Sequence, residues 1–551
     1  MTSGPAWWRK YLNTIRQSLW LRSVVIALGL SNIATYWMTG ALISSHHLMV
    51  YHWSGSVFAL FAPVWLNLIA IWIAVAVLLH STLLSRIWRR VVWVGILVAL
   101  PALAVISFKL GSGNSDIVLG PGIQSHIHFL YLWLYGISPL LWIGLLICWR
   151  PQLDQYFERA VRFVEVVLMF SGVAGAALLA QLAWCNWMAI GLNNQPALHV
   201  QSTAQAAKPR ILWLVMDELS YQQVYEQRFP GLALPKFDRL AKESAVFTQV
   251  IPAGQNTDRI IPALISGRPI ADIRSSAAGE LWAREQGSNE WRAYDQHDTV
   301  FQDALKEGYS TGLVGWWNPY CRTLPAVLDH CYWTAWFMEH KGFAENATLG
   351  MKLKATVLRA IYELAKMLPN RANDWIDTIG TDDKLHVAQT YLDLSGQADK
   401  LLSDSSANFV MVHIPIPHPM GIYNRVTGQF SAESTSYIDN LALSDLYLAH
   451  LRSELEARGE WDSTTLVLMG DHGWRTHIWK DQSWDETDEA ASHGGKFDSR
   501  PGYIVKLPNQ KTGMRINEPF HALETRALLD ALMNGQIKTE TDLEAWVKSR
   551  Q

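Results

Sequence analysis

The 551-residue sequence has little cysteine, little net charge and no repeated or low-complexity segment. It contains four cysteines, and its 46 basic and 49 acidic residues leave a formal charge of -3. Because neither sign dominates, the composition gives no reason to expect nucleic acid as a partner. No small-residue cleavage site follows a short apolar core near the N-terminus. We therefore expect the first apolar run to be retained as an anchor rather than removed as a signal peptide.

Apolar residues, by contrast, make up half of the sequence and are concentrated before residue 190. A helix that crosses a bilayer needs about 20 predominantly apolar residues, and five runs reach that length. The sequence therefore predicts five transmembrane helices, near residues 19–43, 57–80, 90–108, 127–148 and 163–190.

Basic residues are distributed unevenly among the segments that flank these runs. The N-terminal segment, the second-to-third connection and the fourth-to-fifth connection are rich in arginine, whereas the alternate connections hold only Lys109. Connections rich in Lys and Arg stay in the cytoplasm. The pattern predicts a multi-pass protein with a cytoplasmic N-terminus and the large C-terminal part on the other side of the membrane.

The change in composition near residue 190 predicts two domains. We expect a transmembrane domain over 1–190, a linker over 191–210 without apolar periodicity, and an exported domain over 211–551. Cys321 and Cys331 lie ten residues apart in the exported part. An oxidising compartment favours a disulfide between them, and two free thiols are the alternative.

Apolar runs alternate with helical patterns throughout the exported part. Continuous runs of this length are typical of strands that are buried on both faces. Their alternation with amphipathic segments such as "VFQDALKEG" predicts a mainly parallel, doubly wound α/β sheet. The predicted strands are "ILWLVMDE", "YSTGLVGWW", "NFVMVHIPIPH", "TTLVLMGDHG" and "GYIVKLP".

Side chains suited to chemistry follow three of these strands. Asp217 ends the first run, His413 and His418 follow the third, and Asp471-His472 end the fourth. Ligands of open α/β sheets bind outside the carboxyl ends of the strands. The sequence therefore predicts that carboxylate and imidazole groups from distant parts of the chain meet at one edge of the sheet.

Aspartate and histidine oxygens and nitrogens form a donor set that zinc accepts. Thr257, at the start of the predicted helix "TDRIIPALIS", is a candidate fourth ligand, with Pro262 expected in the first turn of that helix. A hydroxyl beside a divalent ion loses its proton more readily, and a helix N-terminus favours an anion. The pattern favours Thr257 as a nucleophile, while a plain helix-capping role is the alternative.

Three segments resemble the alkaline-phosphatase superfamily in its sulfatase-like, membrane-anchored branch. This branch includes the bacterial phosphoethanolamine transferases and the lipoteichoic-acid-type phosphoglycerol transferases, and the resemblance extends over nearly the whole chain. It implies location in the bacterial inner membrane, with a periplasmic or extracellular α/β catalytic domain of alkaline-phosphatase and sulfatase type. The segments are "LPKFDRLAKES", "FQDALKEGYSTGLVG" and "YIDNLALSDLYLAHLRSELEARGEWDSTTLVLMGDHG".

The resemblance also implies a set of site residues. The metal ligands would be Asp217, Thr257, Asp471 and His472, and they would hold one zinc ion, or one of two divalent ions. Thr257 would be the nucleophile. His418 and His493 would be the other catalytic residues, either holding a second ion or acting as acid and base.

Three further residues are candidates for contact with the substrate: Arg259, His413 and Lys496. Each has a simpler alternative, namely solvation of a helix, a hydrogen bond to backbone, and exposure in a glycine-rich loop. The chain also departs from true sulfatases, because "TDRII" stands where they carry Cys-x-Pro-x-Arg. Hydrolysis of sulfate esters through formylglycine is therefore not expected.

The implied function is transfer of a phospho-head-group from a membrane phospholipid to an exported glycan or glycolipid through a phospho-threonine. Phosphoethanolamine is the favoured head group and phosphoglycerol the second. Two alternatives stay open. One is a membrane-anchored hydrolase, either a phosphodiesterase, a phosphatase or a sulfatase-like enzyme. The other is a non-catalytic component of polysaccharide assembly.

Overall fold

The structure is a computed structural model, and it divides the chain into two compact units. The first comprises Met1–Val50, Gly55–Leu192 and Lys341–Ile376, and the second comprises Tyr51–Ser54, Asn193–His340 and Asp377–Gln551. Most of the predicted linker and the start of the predicted fourth span, 127–136, lie outside the described residues. The structure describes residues 18–43, 51–52, 57–112, 137–190, 208–276, 280–335, 348, 350, 353, 373–431, 436–480 and 484–551.

The described part of the first unit is helical. Three of its helices contain stretches long and apolar enough to cross a membrane, at Leu19–Tyr36, Phe61–Ser81 and Leu153–Met188. The predicted third span lies within α3, and the predicted fourth overlaps the ten-residue α4, so five spans remain a prediction. The helices are α1 (Leu19–Ile43), α2 (Val57–Ser81), α3 (Arg86–Ser112), α4 (Ser138–Ile147) and α5 (Leu153–Ala189).

Ion pairs connect α1 and α3 to α5. Arg22 of α1 pairs with Glu165 of α5, and Arg90 of α3 pairs with Asp154 of α5 at 2.7 Å. The beginnings of α3 and α5 therefore lie at the same end of this unit, and the beginning of α1 lies beside the thirteenth residue of α5. This arrangement agrees with the predicted alternation of basic connections.

Two glycines allow α1 and α5 to approach closely. A Cβ atom at Gly29 would lie 2.0 Å from the Leu168 carbonyl oxygen, and one at Gly172 would lie 2.6 Å from that of Val25. Small residues at such positions are typical of helix packing inside membranes, where close backbone contact replaces the hydrophobic effect.

The second unit is built on a mixed eight-stranded sheet with the order β14-β2-β13-β12-β1-β9-β7-β8. The five strands from β12 to β8 are parallel, and four of them, β1, β7, β9 and β12, are among the predicted strands. The "GYIVKLP" strand, β13, runs antiparallel to β12, and this direction is not apparent from an apolar run. The sheet's strands are β1 (Ile211–Met216), β2 (Ala245–Phe247), β7 (Thr311–Trp316), β8 (His330–Thr334), β9 (Phe409–Ile414), β12 (Thr465–Gly470), β13 (Tyr503–Lys506) and β14 (Met514–Ile516).

Smaller sheets and helices complete this unit. The short strands are β3 (Val250–Ile251), β4 (Ile270–Ser275), β5 (Leu281–Glu285), β6 (Arg292–Ala293), β10 (Tyr423–Asn424), β11 (Gln429–Phe430) and β15 (Phe520–His521). The helices are α6 (Pro235–Ala241), α7 (Thr257–Ser266), α8 (Val300–Lys306), α9 (Tyr320–Thr323), α10 (Asn373–Ser403, in this unit from Asp377), α11 (Tyr437–Ala457), α12 (Thr476–Trp479), α13 (Glu486–Ala491), α14 (Thr525–Met533) and α15 (Glu540–Lys548), with a π-helical turn at Gln222–Glu226 and a 3-10 turn at Ala522–Glu524.

Both faces of the sheet are buried, which explains the unbroken apolar runs. Leu212, Leu214 and Met216 of β1 enter the hydrophobic core that contains α11. The alternate residues of the strand enter a second core that contains α7 and α14. Successive side chains of a strand point to opposite faces, so a strand between two cores carries apolar residues at every position. The predicted doubly wound arrangement, with helices packed on both faces of the sheet, is confirmed.

The structure also joins Cys321 of α9 to Cys331 of β8 in a disulfide, with their Cα atoms 5.6 Å apart. The bridge closes the connection between two neighbouring parallel strands, β7 and β8. Of the two predicted alternatives for this pair, the disulfide is confirmed.

Candidate active site

The register of the central strands brings the predicted carboxylates together. Met216, the last residue of β1, lies opposite Gly470 of β12 and Ile414 of β9. The next residues of two strands, Asp217 and Asp471, therefore leave the sheet side by side. Their convergence follows directly from parallel pairing, in which equivalent strand ends lie at the same edge.

The residue after the Asp-His pair must be glycine for a steric reason. A Cβ atom at Gly473 would lie 2.6 Å from the carbonyl oxygen of Asp498. Real Cβ atoms do not approach a backbone oxygen so closely, so any side chain here would displace the loop that carries Asp498. The tight packing fixes the turn that presents Asp471 and His472.

Thr257 contacts this pair. Its Oγ1 donates a hydrogen bond to Oδ2 of Asp471 at 2.8 Å and lies 3.4 Å from Nε2 of His472. Nε2 of His472 is 3.2 Å from Asp471 Oδ2 and 3.8 Å from Asp217 Oδ1. Asp217 and Asp471 are 0% exposed, His472 1% and Thr257 7%. The four predicted ligands thus form one buried group.

Thr257 is the first residue of α7, and Asn256 stands at the cap position without a side-chain cap bond. The Thr257 hydroxyl is engaged with Asp471 rather than with the helix backbone, so it is not a capping group here. Pro262 is the sixth residue of α7 and not, as the sequence suggested, part of its first turn. The proline therefore removes one internal helix bond.

Asp217 is the group that most needs a partner. Among the described residues, neither of its carboxylate oxygens has a hydrogen-bond partner. Burial, followed by the charges of Asp471 and Glu218, raises the pKa of Asp217 well above its ordinary value. A buried carboxylate in this condition is stabilised in its charged form by a cation.

The neighbouring groups are set up for the same cation. Nδ1 of His472 lies 3.0 Å from the Gly473 carbonyl oxygen, so Nδ1 carries the proton and Nε2 offers its lone pair to the cluster. Asp217, Asp471 and His472 place ligand atoms within 4.8 Å of one another. Two carboxylates, one imidazole and one hydroxyl make a donor set that fits a divalent metal ion.

Asp471 is held in its charged form. Burial raises its pKa, but His472, His413 and the bonds from the Glu218 amide and the Thr257 hydroxyl outweigh this effect, and the pKa lies below its ordinary value. Its Oδ1 accepts from the amides of Glu218 at 3.0 Å and His472 at 2.8 Å. Asp471 therefore orients the Thr257 hydroxyl as a fixed acceptor.

Glu218, the residue after Asp217, also lies inside the site. It is 0% exposed and has a left-handed backbone with φ of 63°. This conformation is rare for residues other than glycine, and it turns the chain so that two consecutive carboxylates face the same cluster. Backbone strain of this kind is concentrated at functional sites.

Arg475, to which no sequence motif points, is the partner of Glu218. Its Nε donates to Glu218 Oε1 at 2.7 Å, and its Nη1 donates to the Gln255 carbonyl oxygen at 2.9 Å. Burial raises the pKa of Glu218 and the Arg475 guanidinium lowers it, with a net shift below its ordinary value.

Two histidines border the cluster. His418 lies with its Nε2 4.0 Å from Glu218 Oε1 and its ring against Trp316 and Trp479. Nδ1 of His413 is 2.6 Å from the Tyr320 hydroxyl oxygen. Burial lowers the pKa of both imidazoles to about 4. Both side chains are therefore neutral at physiological pH.

Two further residues, Tyr51 and Asn318, form a hydrogen-bonded chain that ends at the backbone of Thr257. Nδ2 of Asn318 donates to the Thr257 carbonyl oxygen at 3.4 Å, and Oδ1 of Asn318 accepts from the Tyr51 hydroxyl at 3.1 Å. Tyr51 belongs to the same unit, although it comes from the chain between α1 and α2. No motif in the sequence points to Tyr51 or Asn318.

The remaining predicted residues lie elsewhere. The side chains of His493 and Lys496 are exposed, and no contact among the described residues joins either of them to Thr257 or Asp471. Arg259 is directed towards β4, where it bonds to the Ala271 carbonyl oxygen at 3.3 Å and pairs with Asp272 at 3.4 Å. The structure therefore brings together four predicted residues, Asp217, Thr257, Asp471 and His472, with His413 and His418 at the border, but not His493, Lys496 or Arg259.

Several proteins of known structure are similar to this chain. The chain is similar to a phosphonate monoester hydrolase of Agrobacterium radiobacter (14% identity, 59% of this chain and 74% of that one, TM-score 0.37). It is also similar to the PsFucS1 sulfatase from Pseudoalteromonas sp. (16%, 60% and 68%, TM-score 0.37). The third is the lipoteichoic acid synthase LtaP of Listeria monocytogenes (13%, 64% and 78%, TM-score 0.36).

A family model described as Sulfatase matches residues 209–508, which is more than half of the 551-residue chain. The match begins just before β1 and ends just after β13, so it includes Asp217, Thr257, Asp471 and His472. The predicted superfamily is confirmed: the chain belongs to the sulfatase family of the alkaline-phosphatase superfamily.

Proposed function

We propose that the protein is a metal-dependent transferase that moves a phospho-head-group from a membrane phospholipid to an exported glycan or glycolipid. Phosphoethanolamine is the favoured group and phosphoglycerol the second. The observation that carries this proposal is the 2.8 Å bond between Thr257 Oγ1 and Asp471 Oδ2 inside a buried group of metal-type ligands. A hydroxyl in that position suits nucleophilic attack on an anionic ester.

Membrane attachment supports a lipid donor. The three long apolar helices of the first unit indicate a membrane-anchored protein, and an anchored enzyme meets phospholipid at high local concentration. The proposed location is the bacterial inner membrane, with the catalytic unit on the periplasmic or extracellular side.

Asp217, Thr257, Asp471 and His472 would hold the divalent ion, which is zinc in this proposal. When bound, such an ion lowers the pKa of the hydroxyl and neutralises charge on the phosphoryl oxygens. The buried, unpartnered oxygens of Asp217 are the structural reason for expecting it.

The reaction has two displacement steps in this proposal. In the first, Thr257 Oγ1 forms a bond to phosphorus, the bond from phosphorus to the diacylglycerol oxygen breaks, and the hydroxyl proton of Thr257 ends on that oxygen. In the second, the acceptor's hydroxyl oxygen displaces Thr257 Oγ1, which takes up the acceptor's proton. Asp471 orients Oγ1 in both steps because its carboxylate is fixed by two backbone amides.

His418 is the group proposed to carry the proton between these oxygens. Its Nδ1 lies 2.6 Å from the Pro419 carbonyl oxygen, so Nδ1 holds a proton and Nε2 has a free lone pair. Since burial lowers its pKa to about 4, Nε2 is unprotonated at physiological pH and is able to accept the proton of a hydroxyl.

The test is mass spectrometry of the full-length protein after incubation with phosphatidylethanolamine vesicles. We expect a phosphoethanolamine adduct on Thr257, absent from a Thr257→Val variant that binds the same amount of zinc. Vesicles containing phosphatidylglycerol would reveal a glycerol phosphate adduct instead. A wild-type protein that turns over donor without any adduct on Thr257 would contradict the covalent route.

The fate of the head group separates transfer from hydrolysis. With isotopically labelled head group, transfer places the label on a glycan or glycolipid fraction when crude envelope acceptor is supplied. Release of all label into solution, with adduct formation intact, would identify a membrane-anchored phosphodiesterase on the same site.

A further inference from the structure

Two overlapping groups of side chains in the site have the geometry of a metal centre. One consists of Asp217, Asp471 and His472, and the other of Asp217, Glu218 and His418. Asp217 belongs to both, so the site has the outline of a two-ion centre. The hydrogen bonds made by the carboxylates distinguish the two groups.

The Glu218 carboxylate is already fully engaged. Oε1 accepts from Arg475 Nε at 2.7 Å, from Arg475 Nη2, and from Trp479 Nε1 at 2.9 Å. Oε2 accepts from the Arg475 backbone amide at 3.1 Å and from Trp479 Nε1 at 3.2 Å. A carboxylate has about four acceptor positions, and those of Glu218 are taken, whereas Asp217 has both oxygens without a partner among the described residues.

Arg475 is built into the site rather than placed at its surface. Its side chain is 11% exposed, and its Nη1 bonds to the Gln255 carbonyl oxygen, two residues before Thr257. The guanidinium thus connects the end of β1 to the turn that leads into the nucleophile helix. Displacing it would leave Glu218 as a buried charge without a counterion, which is strongly unfavourable.

Charge balance leads to the same conclusion. The carboxylates of Asp217, Glu218 and Asp471 are neutralised together by one guanidinium and one divalent ion. Because His418 is neutral, a second divalent ion beside an intact Arg475 would leave two excess positive charges in a buried site. Such an excess is not compensated by any other acidic group in the two clusters.

We propose that Arg475 is the resident cation of this site: its guanidinium, bound to Glu218, occupies the role of a second metal ion, so that the enzyme holds one divalent ion at Asp217, Asp471, His472 and Thr257. This inference deepens the proposed function and rests on its metal centre. It assigns Arg475 as a positioning residue that keeps Glu218 away from the metal and fixes the turn before Thr257.

The experiment measures zinc stoichiometry rather than activity. The full-length protein in detergent is stripped with chelator, titrated with Zn²⁺, desalted and assayed for zinc per chain by mass spectrometry. We expect one ion in the wild type and two in Arg475→Met, whose freed Glu218 completes the second group. The matched control Glu218→Gln/Arg475→Met removes both charges and should return to one ion. Asp217→Asn, which affects both groups, measures adventitious zinc.

Two ions in the wild type, or one ion in a folded Arg475→Met variant, would overturn the inference. If Arg475→Met does not fold, Arg475→Lys replaces it; this variant keeps the charge and should hold one ion, and two would again contradict us. A wild type that holds no zinc above the Asp217→Asn background would remove the metal centre itself. One ion in both the wild type and Arg475→Met would leave that centre intact and reject only the role of Arg475.

Discussion

The hydroxyl of Thr257 donates a 2.8 Å hydrogen bond to the carboxylate of Asp471, a residue 214 positions further along the chain. Neither residue is exposed enough to exchange this bond freely with water, since they are 7% and 0% exposed. The relationship joins the start of α7 to the end of β12, and it is the reason to treat Thr257 as a nucleophile.

Thr257→Val should abolish turnover of a phosphodiester reporter such as bis(4-nitrophenyl) phosphate. The variant keeps the shape of the side chain but lacks the attacking oxygen, and losses after removal of a nucleophile are at least about 10³-fold. Thr257→Ser retains the oxygen and should keep measurable activity. The free energy of unfolding of Thr257→Val should change by only about 1 kcal/mol, the value of one hydrogen bond. An active Thr257→Val protein would reject the nucleophile assignment.

Asp217→Asn should make the stability of the chelator-treated protein less sensitive to rising pH than that of the wild type. The pKa of Asp217 is raised by burial and by Asp471 and Glu218, so its contribution to stability is present below its unfolded pKa and is lost as pH rises towards its folded pKa. In the metal-free wild type, the melting temperature should therefore fall more steeply than in Asp217→Asn as the pH rises above about 4, the unfolded pKa of aspartate.

Zinc should make the wild type more stable than Asp217→Asn, the reverse of the order expected for the metal-free proteins at higher pH. It stabilises the wild type by binding the folded state but has little effect on Asp217→Asn, which loses a ligand. Parallel pH profiles of the two metal-free proteins, measured by tryptophan fluorescence on heating, would show that Asp217 is not the strained carboxylate of the site.

The central part of the site was predictable because it depends on strand ends. Asp217 and Asp471 directly follow buried parallel strands, and parallel pairing alone brings such positions to one edge. Thr257 followed from a helix start that the sequence marks with a polar turn and an apolar run. These features are local patterns combined with one rule of topology.

The rest of the site depends on tertiary structure that no local pattern encodes. Glu218 enters the cluster because its backbone is left-handed, which a strand pattern does not reveal. Arg475 lies in the loop between β12 and α12, and the sequence does not distinguish it from other arginines. Its role becomes apparent only from its bonds to Glu218. His493 was predicted from resemblance, and its exposed side chain reflects a loop whose course the sequence does not fix.

The Cys321–Cys331 disulfide should stabilise the second unit. It closes a loop of about ten residues, for which the chain-entropy model gives about 3 kcal/mol. Reductant, or the Cys321→Ala/Cys331→Ala variant, should lower the melting temperature by roughly 5–10 °C. Cys148→Ser, which alters an exposed free thiol, is the control and should melt like the wild type; the same melting temperature with and without reductant in the wild type would contradict the prediction.

Tyr51 should act on catalysis through Asn318. The Tyr51 hydroxyl bonds to Asn318 Oδ1, and Asn318 Nδ2 bonds to the Thr257 carbonyl oxygen, so Tyr51→Phe leaves a buried amide oxygen unpaired and loosens the support of the nucleophile. One such bond is worth about 1 kcal/mol, which corresponds to about a fivefold fall in kcat. KM should change less, because the Tyr51 hydroxyl is connected to Thr257 only indirectly, through Asn318.

A double-mutant cycle separates this effect from a general loss of stability. If Tyr51 acts through Asn318, the fall in kcat for Tyr51→Phe/Asn318→Ala should equal that of Asn318→Ala alone, with a coupling energy of at least about 0.5 kcal/mol. Tyr503→Phe is the matched control, since it removes a buried hydroxyl that bonds to Thr525 and should leave kcat unchanged. Two residues of one hydrogen-bonded chain to Thr257 affect kcat through the same chain, so their losses in kcat should not add. Strictly additive losses in the cycle would therefore mean that Tyr51 acts independently of Asn318.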